Sequence, residues 1–325
     1  MIKKIAVLTS GGDSPGMNAC IRAVVRAANF HGISCVGIKR GYQGLIDGEF
    51  VDLDARAVGG IISKGGTILG SARCKDFMQA DGRKKAYDHL KKKGIDAIVA
   101  CGGDGTFKGA SVFISEYSDI TVIGLPCTID NDLYGTDYAI GYDTALNTAM
   151  EAIDRIRDTA DAHNRLFFVE VMGRDAGFIA LRSGIAGGAE AILVPEVKTD
   201  LEELTQQLLK SYNSRNSSCI VVVAEGDDAG HAYKIADMIR GKSPYEDIRI
   251  VVLGHIQRGG SPSAFDRVLA SRLGIAAVDA LIAGKSAIML GQNGHKISEL
   301  PFEKAIKHHQ QLSPYLMHIM EVLTL

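Results

Sequence analysis

Short apolar runs alternate with longer amphipathic segments along most of this chain, and no other feature limits its fold so tightly. The runs cover residues 5–8, 95–101, 121–125, 166–171, 219–224 and 248–253. Their largely apolar character fits strands buried on both faces of a parallel sheet. Between them, residues 17–30, 82–93, 144–161, 201–212 and 262–283 carry apolar side chains at helical spacing. Repeated strand-helix alternation predicts an α/β fold with doubly wound layers. Ligands of such sheets bind beyond the carboxyl ends of the strands, so the loops leaving the runs are where chemistry is expected.

A chain of 325 residues is long enough for about two domains. No low-complexity stretch or long Pro/Ser linker marks a boundary, and the chain is expected to cross between domains more than once. With 36 basic and 38 acidic residues the formal charge is -2, and the basic residues are dispersed. That balance gives no support to a nucleic-acid or anionic-membrane role. The basic start, Lys3-Lys4, leads into an apolar run that stops at Thr9-Ser10-Gly11-Gly12. This is too short for a signal peptide or a span, and it reads as the first strand of a cytoplasmic protein. Cysteines 20, 35, 74, 101, 127 and 219 contain no CxxC pair; several fit apolar patterns as small hydrophobes in a reducing compartment, and none reads as a zinc site. Adjacent His308 and His309 would diverge by about 100° on a helix, as on a solvated face.

Two glycine-rich loops follow apolar runs. Gly11-Gly12-Asp13-Ser14-Pro15-Gly16-Met17-Asn18 joins the first strand to a helix. Its glycines permit positive φ and close approach of backbone N–H groups to an anion, with the helix N-terminus directed the same way. The spacing matches neither GxGxxG nor GxxxxGK[ST], and a purely structural tight turn fits the same residues. In Gly103-Asp104-Gly105-Thr106, Asp104 offers an oxygen ligand for hydrated Mg²⁺ beside phosphate-binding donors, and Thr106 is expected to cap the next helix.

Thr128-Ile129-Asp130-Asn131-Asp132 follows the run at 121–125. If extended, Asp130 and Asp132 share one face, and their proximity would raise one pKa toward base function. Thr128 and Asn131 add groups that can orient a hydroxyl substrate. An Asx turn with solvated carboxylates fits the same residues. Met172-Gly173-Arg174 and His255-Ile256-Gln257-Arg258-Gly259-Gly260 put cations at two further strand ends, where guanidinium groups suit phosphate oxygens. Arg165 and Arg249 sit at the beginnings of those strands, an awkward place for a site within one subunit but a suitable one for reaching a neighbour's.

Together, in this order, the five motifs resemble the bacterial phosphofructokinase A family of ATP-dependent 6-phosphofructokinases, from residue 5 to about residue 283. NAD kinases and lipid kinases resemble only the Gly103–Thr106 loop. The resemblance implies two Rossmann-like three-layer domains with mostly parallel sheets and the active site in the cleft between them. The expected division is a larger ATP-binding domain of residues 1–138 and 252–304, and a smaller sugar-phosphate domain of 139–251 and 305–325. Gly12, Arg73, Cys74, Gly103, Asp104, Gly105 and Thr106 would surround ATP, with Asp104 at Mg²⁺. Asp130 would be the general base toward the C1 hydroxyl of fructose 6-phosphate. Thr128, Asp132, Met172, Gly173, Arg174 and Glu225 would position the sugar, Arg165, Arg249, His255 and Arg258 would address its 6-phosphate, and Ile129, Ile256 and Gln257 would also line the substrate site. In this family Arg165 and Arg249 come from an adjacent subunit, which implies a homotetramer.

Two departures from the family pattern bear on donor and regulation. Pyrophosphate-using relatives typically have Asp at Gly105 and Lys at Cys127, whereas ATP-using enzymes have Gly at both; Gly105 favours ATP and Cys127 matches neither. Arg22, Arg26, Arg157 and Glu190 match positions that bind ADP or phosphoenolpyruvate in allosteric bacterial enzymes. Ala55, Ser214 and Asn216 stand where those enzymes carry basic residues, so a reduced or altered effector response is expected. An NAD-kinase-like enzyme would leave the sugar-phosphate clamps unused, and a noncatalytic sugar-phosphate sensor would have little need for three aspartates.

Overall fold

The structure, a computed structural model, describes residues 2–162, 165–215, 218–306 and 310–324. His308, His309 and Asn216 lie outside the described residues, as does the side chain of Ser214. The strands are β1 (Lys4–Thr9), β2 (Ser34–Ile38), β3 (Phe50–Leu53), β4 (Ala97–Gly102), β5 (Thr121–Pro126) and β6 (Leu166–Val171), followed by β7 (Ala191–Leu193), β8 (Cys219–Ala224), β9 (Ile248–Val252), β10 (Ile288–Asn293) and β11 (Lys296–Pro301). The helices are α1 (Met17–Phe30), α2 (Gly41–Asp47), α3 (Ala80–Lys93), α4 (Asp104–Glu116), α5 (Tyr142–Asp161) and α6 (Phe178–Ala186), followed by α7 (Leu201–Arg215), α8 (Ala232–Ile239), α9 (Ala264–Ile282), α10 (Phe302–Ala305) and α11 (Pro314–Leu323).

The chain divides into two compact units. The first comprises Met1–Ile129, Leu133–Thr144 and Arg258–Gln310; the second comprises Asp130–Asp132, Ala145–Gln257 and Gln311–Leu325. In the first unit seven strands form a sheet of order β11-β10-β5-β4-β1-β2-β3, parallel except for β3 and β11 at its edges. Strand alternation sorts its side chains by face: Ala97, Val99 and Cys101 of β4 pack with α1 and α9, while Ile98 and Ala100 pack with α2, α3, α4 and α10. Both faces are therefore dry, as the unbroken apolar runs require. Each fully buried Leu, Ile or Phe in these layers contributes about 1.5–3 kcal/mol.

The second unit carries a fully parallel sheet of order β7-β8-β6-β9. Leu166, Phe168, Val221 and Val223 face α7 and α8, with α6 packed on β8. One expectation fails here. The run at 248–253 reads as a strand buried on both faces, yet β9 holds only half-buried residues and the exposed Arg249 and Val252. It is the sheet's edge strand, paired only with β6.

Candidate active site

The first unit's sheet reverses direction at β1: the chain goes to β2 on one side and later to β4 and β5 on the other. The switch point therefore lies between β1 and β4, and both glycine-rich loops leave it there. The backbone approach is close. Ser10 N–H donates to the Cys101 carbonyl at 2.9 Å, and Thr106 Oγ1 donates to the Ser10 carbonyl at 3.3 Å. A Cβ on Gly102 would stand 2.2 Å from Thr106 Oγ1 and 2.5 Å from the Ser10 oxygen, so the juncture excludes any side chain there. Gly11 and Gly16 hold φ of 87° and 108°, the left-handed region that glycine enters without Cβ strain. Neither α1 nor α4 has a side-chain N-cap, so no capping side chain competes with an anion at either helix start.

Thr106 does not cap α4 as its sequence position suggests. The helix starts two residues earlier, with Gly103 at its N-cap, and Thr106 turns inward to the first loop. Asp104 is half-buried and already answers one cation, Lys108 Nζ at 2.6 Å one turn on. A carboxylate oxygen at the edge of solvent, beside backbone donors, fits a hydrated divalent ion that shares phosphate oxygens. Gly105 is exposed, and nothing lies within 4 Å of where its Cβ would stand. Arg258 lies over the first loop: its Nη1 donates to the Asp13 carbonyl at 3.3 Å and would stand 2.6 Å from a Cβ on Gly12. Arg73 is exposed and Cys74 half-buried in the irregular stretch before the 3₁₀ turn Asp76–Met78.

Thr128, Ile129, Asp130 and Asn131 are buried, and Asp132 is half-buried. Asn131 holds φ 54° between the two aspartates, a left-handed turn that Asn tolerates better than most residues. Within the second unit, Asp130 is 4% exposed and its Oδ2 lies 3.7 Å from Arg174 Nε. Arg174 also has φ 54°, after Gly173 at 149°, a conformation costing about 1–3 kcal/mol for a non-glycine residue. Glu225 holds it in place: its Oε1 accepts the N–H groups of Gly173 and Arg174 at 3.3 and 2.7 Å. A Cβ on Gly226 would stand 2.0 Å from the Arg174 carbonyl oxygen, so the two loops meet backbone to backbone. Gln257 is fully buried, with Oε1 accepting Met172 N–H at 2.9 Å, and its amide nitrogen has no hydrogen-bond partner among the described residues. His255 and Ile256 are exposed.

Arg165 and Arg249 stand at the amino ends of β6 and β9, opposite the ends that carry Met172–Arg174 and His255–Gln257. A six-residue strand spans about 20 Å, so they cannot join those loops in one chain's copy of the sheet. Both guanidinium Nε atoms instead donate to Asp247 at 2.7 Å, one to each carboxylate oxygen. Asp247 escaped the sequence reading; an acid two residues before Arg249 was its only signal. Asp266 was missed too. It is buried at the start of α9 and accepts the N–H groups of Gly141 and Thr144 at 2.8 Å, fixing the turn into α5. Burial pushes its carboxyl from an ordinary 3.8 up to about 6.

Of the expected effector residues, Arg157 and Glu190 pair with each other at 3.2 Å. Arg157 also donates to the Gly187 carbonyl, and Glu190 accepts Ile220 N–H at 2.7 Å. Arg22 and Arg26 lie on α1, half-buried and exposed, and Ala55 is exposed. The six cysteines are free thiols. Burial pushes Cys35 up to about 12 and Cys127 well above the ordinary thiol range.

Parallel sheets that end in glycine-rich turns, with carboxylates and arginines on the following loops, define an α/β protein built for phosphorylated ligands. The phosphofructokinase family model matches residues 4–281, and the chain belongs to that family. The ATP-dependent 6-phosphofructokinase of Cytophaga hutchinsonii is 53% identical over 322 residues, covering 99% of this chain and 98% of that protein. A crystal structure of Pichia pastoris phosphofructokinase in the T-state superposes with a TM-score of 0.89 at 38% identity. It covers 94% of this chain, which spans only 36% of the yeast chain's length. A pyrophosphate-dependent phosphofructokinase from Marinobacter aquaeolei shares the fold, with a TM-score of 0.87 over 99% of this chain and 92% of that one, at 23% identity.

Proposed function

We propose that this chain transfers the γ-phosphoryl group of ATP to the C1 hydroxyl of fructose 6-phosphate, giving fructose 1,6-bisphosphate and ADP, the committed step of glycolysis. The observation that carries this reading is the near full-length 53% identity to an ATP-dependent 6-phosphofructokinase. The fold alone does not select the donor, since the pyrophosphate-dependent enzyme shares it. Open space at Gly105 supports ATP, because a donor longer than pyrophosphate needs room beside the phosphate loop.

Gly12, Arg73, Cys74 and Gly103 to Thr106 bind the nucleotide, with backbone N–H groups at the starts of α1 and α4 directed at its phosphates. Asp104 would hold Mg²⁺, which supplies positive charge to offset that on the phosphate oxygens. Asp130 accepts the C1 hydroxyl proton as that oxygen attacks in line, and its burial keeps bulk water from competing for the role. Arg174 places a guanidinium beside Asp130 to offset charge on the transferring group, in the backbone conformation that Glu225 imposes. Thr128, Ile129, Asp132, Met172 and Gly173 orient the sugar, with His255, Ile256, Gln257 and Arg258 toward its phosphate end.

Arg165 and Arg249 serve the 6-phosphate of a neighbouring subunit in a homotetramer; their shared Asp247 and their place at the amino ends of β6 and β9 support this. The pairing of Arg157 with Glu190 and the neutral Ala55 support an altered response to ADP and phosphoenolpyruvate. Six free thiols support a reducing, cytoplasmic setting, and no described helix is long and apolar enough to cross a membrane. The test is Asp130→Asn. It should lower kcat by about 10²- to 10⁴-fold while leaving fructose 6-phosphate affinity nearly unchanged. Near wild-type turnover would remove Asp130 from the base role.

A further inference from the structure

Cys20, Cys101 and Cys127 come from α1, from β4 and from just past β5, yet their sulfurs all lie within 4.8 Å of one another. The Cys20 and Cys101 sulfurs are 3.5 Å apart. All three side chains are buried, and they belong to the same apolar layer as Met17, Val99, Leu125 and Ile140. None takes part in the transfer proposed above. A soft centre about 2.3 Å from each of three sulfurs spaces them by about 4 Å when planar, and a pyramidal centre draws them closer. The observed spacings fall around those values.

Charge selects the ligand. Three thiolates around a monovalent or divalent cation would leave net negative charge in a dry layer, which is costly to bury. Structural zinc also takes four ligands as a rule, and three are present. A trivalent centre with three thiolates is neutral. We propose that Cys20, Cys101 and Cys127 form a three-sulfur site for a trivalent thiophilic metalloid, loaded by arsenite. The exchange balances without an oxidant or reductant: As(OH)₃ and three thiols give As(S-Cys)₃ and three waters. Each As–O bond is replaced by an As–S bond, and each departing hydroxide leaves with one thiol proton.

The site lies directly behind the loops that carry the proposed chemistry. Cys101 immediately precedes Gly102 to Thr106, and Cys127 immediately precedes Thr128 to Asp132. One centre bonded to all three sulfurs ties the ends of β4 and β5 to α1 and holds the loops that follow them, so loading lowers phosphoryl transfer. This consequence rests on the function proposed above; the binding does not.

The experiment exposes the reduced full-length protein to sodium arsenite, then uses native mass spectrometry and X-ray absorption at the arsenic edge. The expected result is one arsenic per chain with loss of three hydrogens, a shell of three sulfurs, and a parallel loss of fructose 1,6-bisphosphate formation. Cys20→Ala and Cys127→Ala should each lose the three-sulfur shell, while Cys35→Ala keeps it. Thermal unfolding confirms that each variant is folded, and either of the first two suffices if the other is not. If both fail to fold, protection of Cys20, Cys101 and Cys127 from alkylation in the loaded wild type decides the question by peptide mapping. No adduct, a two-sulfur or oxygen shell, or an adduct on other cysteines would overturn the site. A loaded protein with full activity would overturn only the coupling to the loops.

Discussion

Placing an aspartate at Gly105 separates stability from nucleotide binding. Gly105 is the second residue of α4, is exposed, and has nothing within 4 Å of its missing Cβ, so the new side chain meets no steric barrier. Its φ is not in the left-handed region, so no strain is introduced. Replacing glycine inside a helix gains a few tenths of a kcal/mol, and a carboxylate in the first turn adds about 0.3–1 kcal/mol through the helix dipole. The variant should therefore be as stable as the parent or about 1 kcal/mol more so. Nucleotide binding should respond in the opposite direction. A carboxylate about 4 Å from a phosphate charge costs about 4 kcal/mol at the effective dielectric of a protein surface, and exposure screens this toward about 2. The KM for ATP should rise roughly thirtyfold to a thousandfold. Initial-rate kinetics at saturating fructose 6-phosphate, paired with a urea unfolding curve, measure both quantities. An unchanged KM in a fully folded variant would show that the phosphates do not pass Gly105, and the placement of the donor would be wrong.

Two other substitutions test the residues that sequence reading overlooked. Asp247→Asn should raise the KM for fructose 6-phosphate by about threefold to tenfold, because both arginines lose the charge that fixes them, while stability barely changes for these partly exposed pairs. A KM that stays level or falls would mean that Asp247 competes with the phosphate instead of positioning its ligands. Asp266 makes a pH prediction: with its folded-state value raised from 3.8 to about 6, its stabilising contribution is complete below the unfolded value and is lost as pH rises through about 6. Wild type should lose about 2 kcal/mol relative to Asp266→Asn between pH 4 and pH 7, read from urea unfolding at each pH, and parallel stability curves would contradict the assigned burial cost.

Strands buried on both faces were the most legible parts of the fold. β6 and β8 begin and end where their apolar runs do, because six buried side chains in a row leave no ambiguity of face. Helix α1 agrees for a related reason, with left-handed Gly16 starting it sharply. Weak spots arose where tertiary context overrides local pattern. β2 contains Gly37, whose Cβ would stand 2.5 Å from Leu69, so its shortness of apolar residues reflects crowding by a distant loop. β3, β9 and β11 are edge strands with wet positions, which blur an apolar run. In the candidate site, each strand-end motif was visible as a motif, but the contacts that hold it were not. Glu225 under Gly173 and Arg174, Asp247 against Arg165, and the convergence of Cys20, Cys101 and Cys127 all join residues far apart in the chain. Spacing rules read neighbours in sequence and cannot see such pairs. Thr106 shows the converse error: a residue suited by type to a cap is drawn inward because the backbone at Ser10 offers it an acceptor.

The central claim is tested most directly by following fructose 1,6-bisphosphate formation by the purified protein with fructose 6-phosphate and either MgATP or magnesium pyrophosphate as donor. Product should form with ATP, one ADP per bisphosphate, and negligibly with pyrophosphate. Turnover with pyrophosphate alone, or none with either donor in a folded protein, would contradict it.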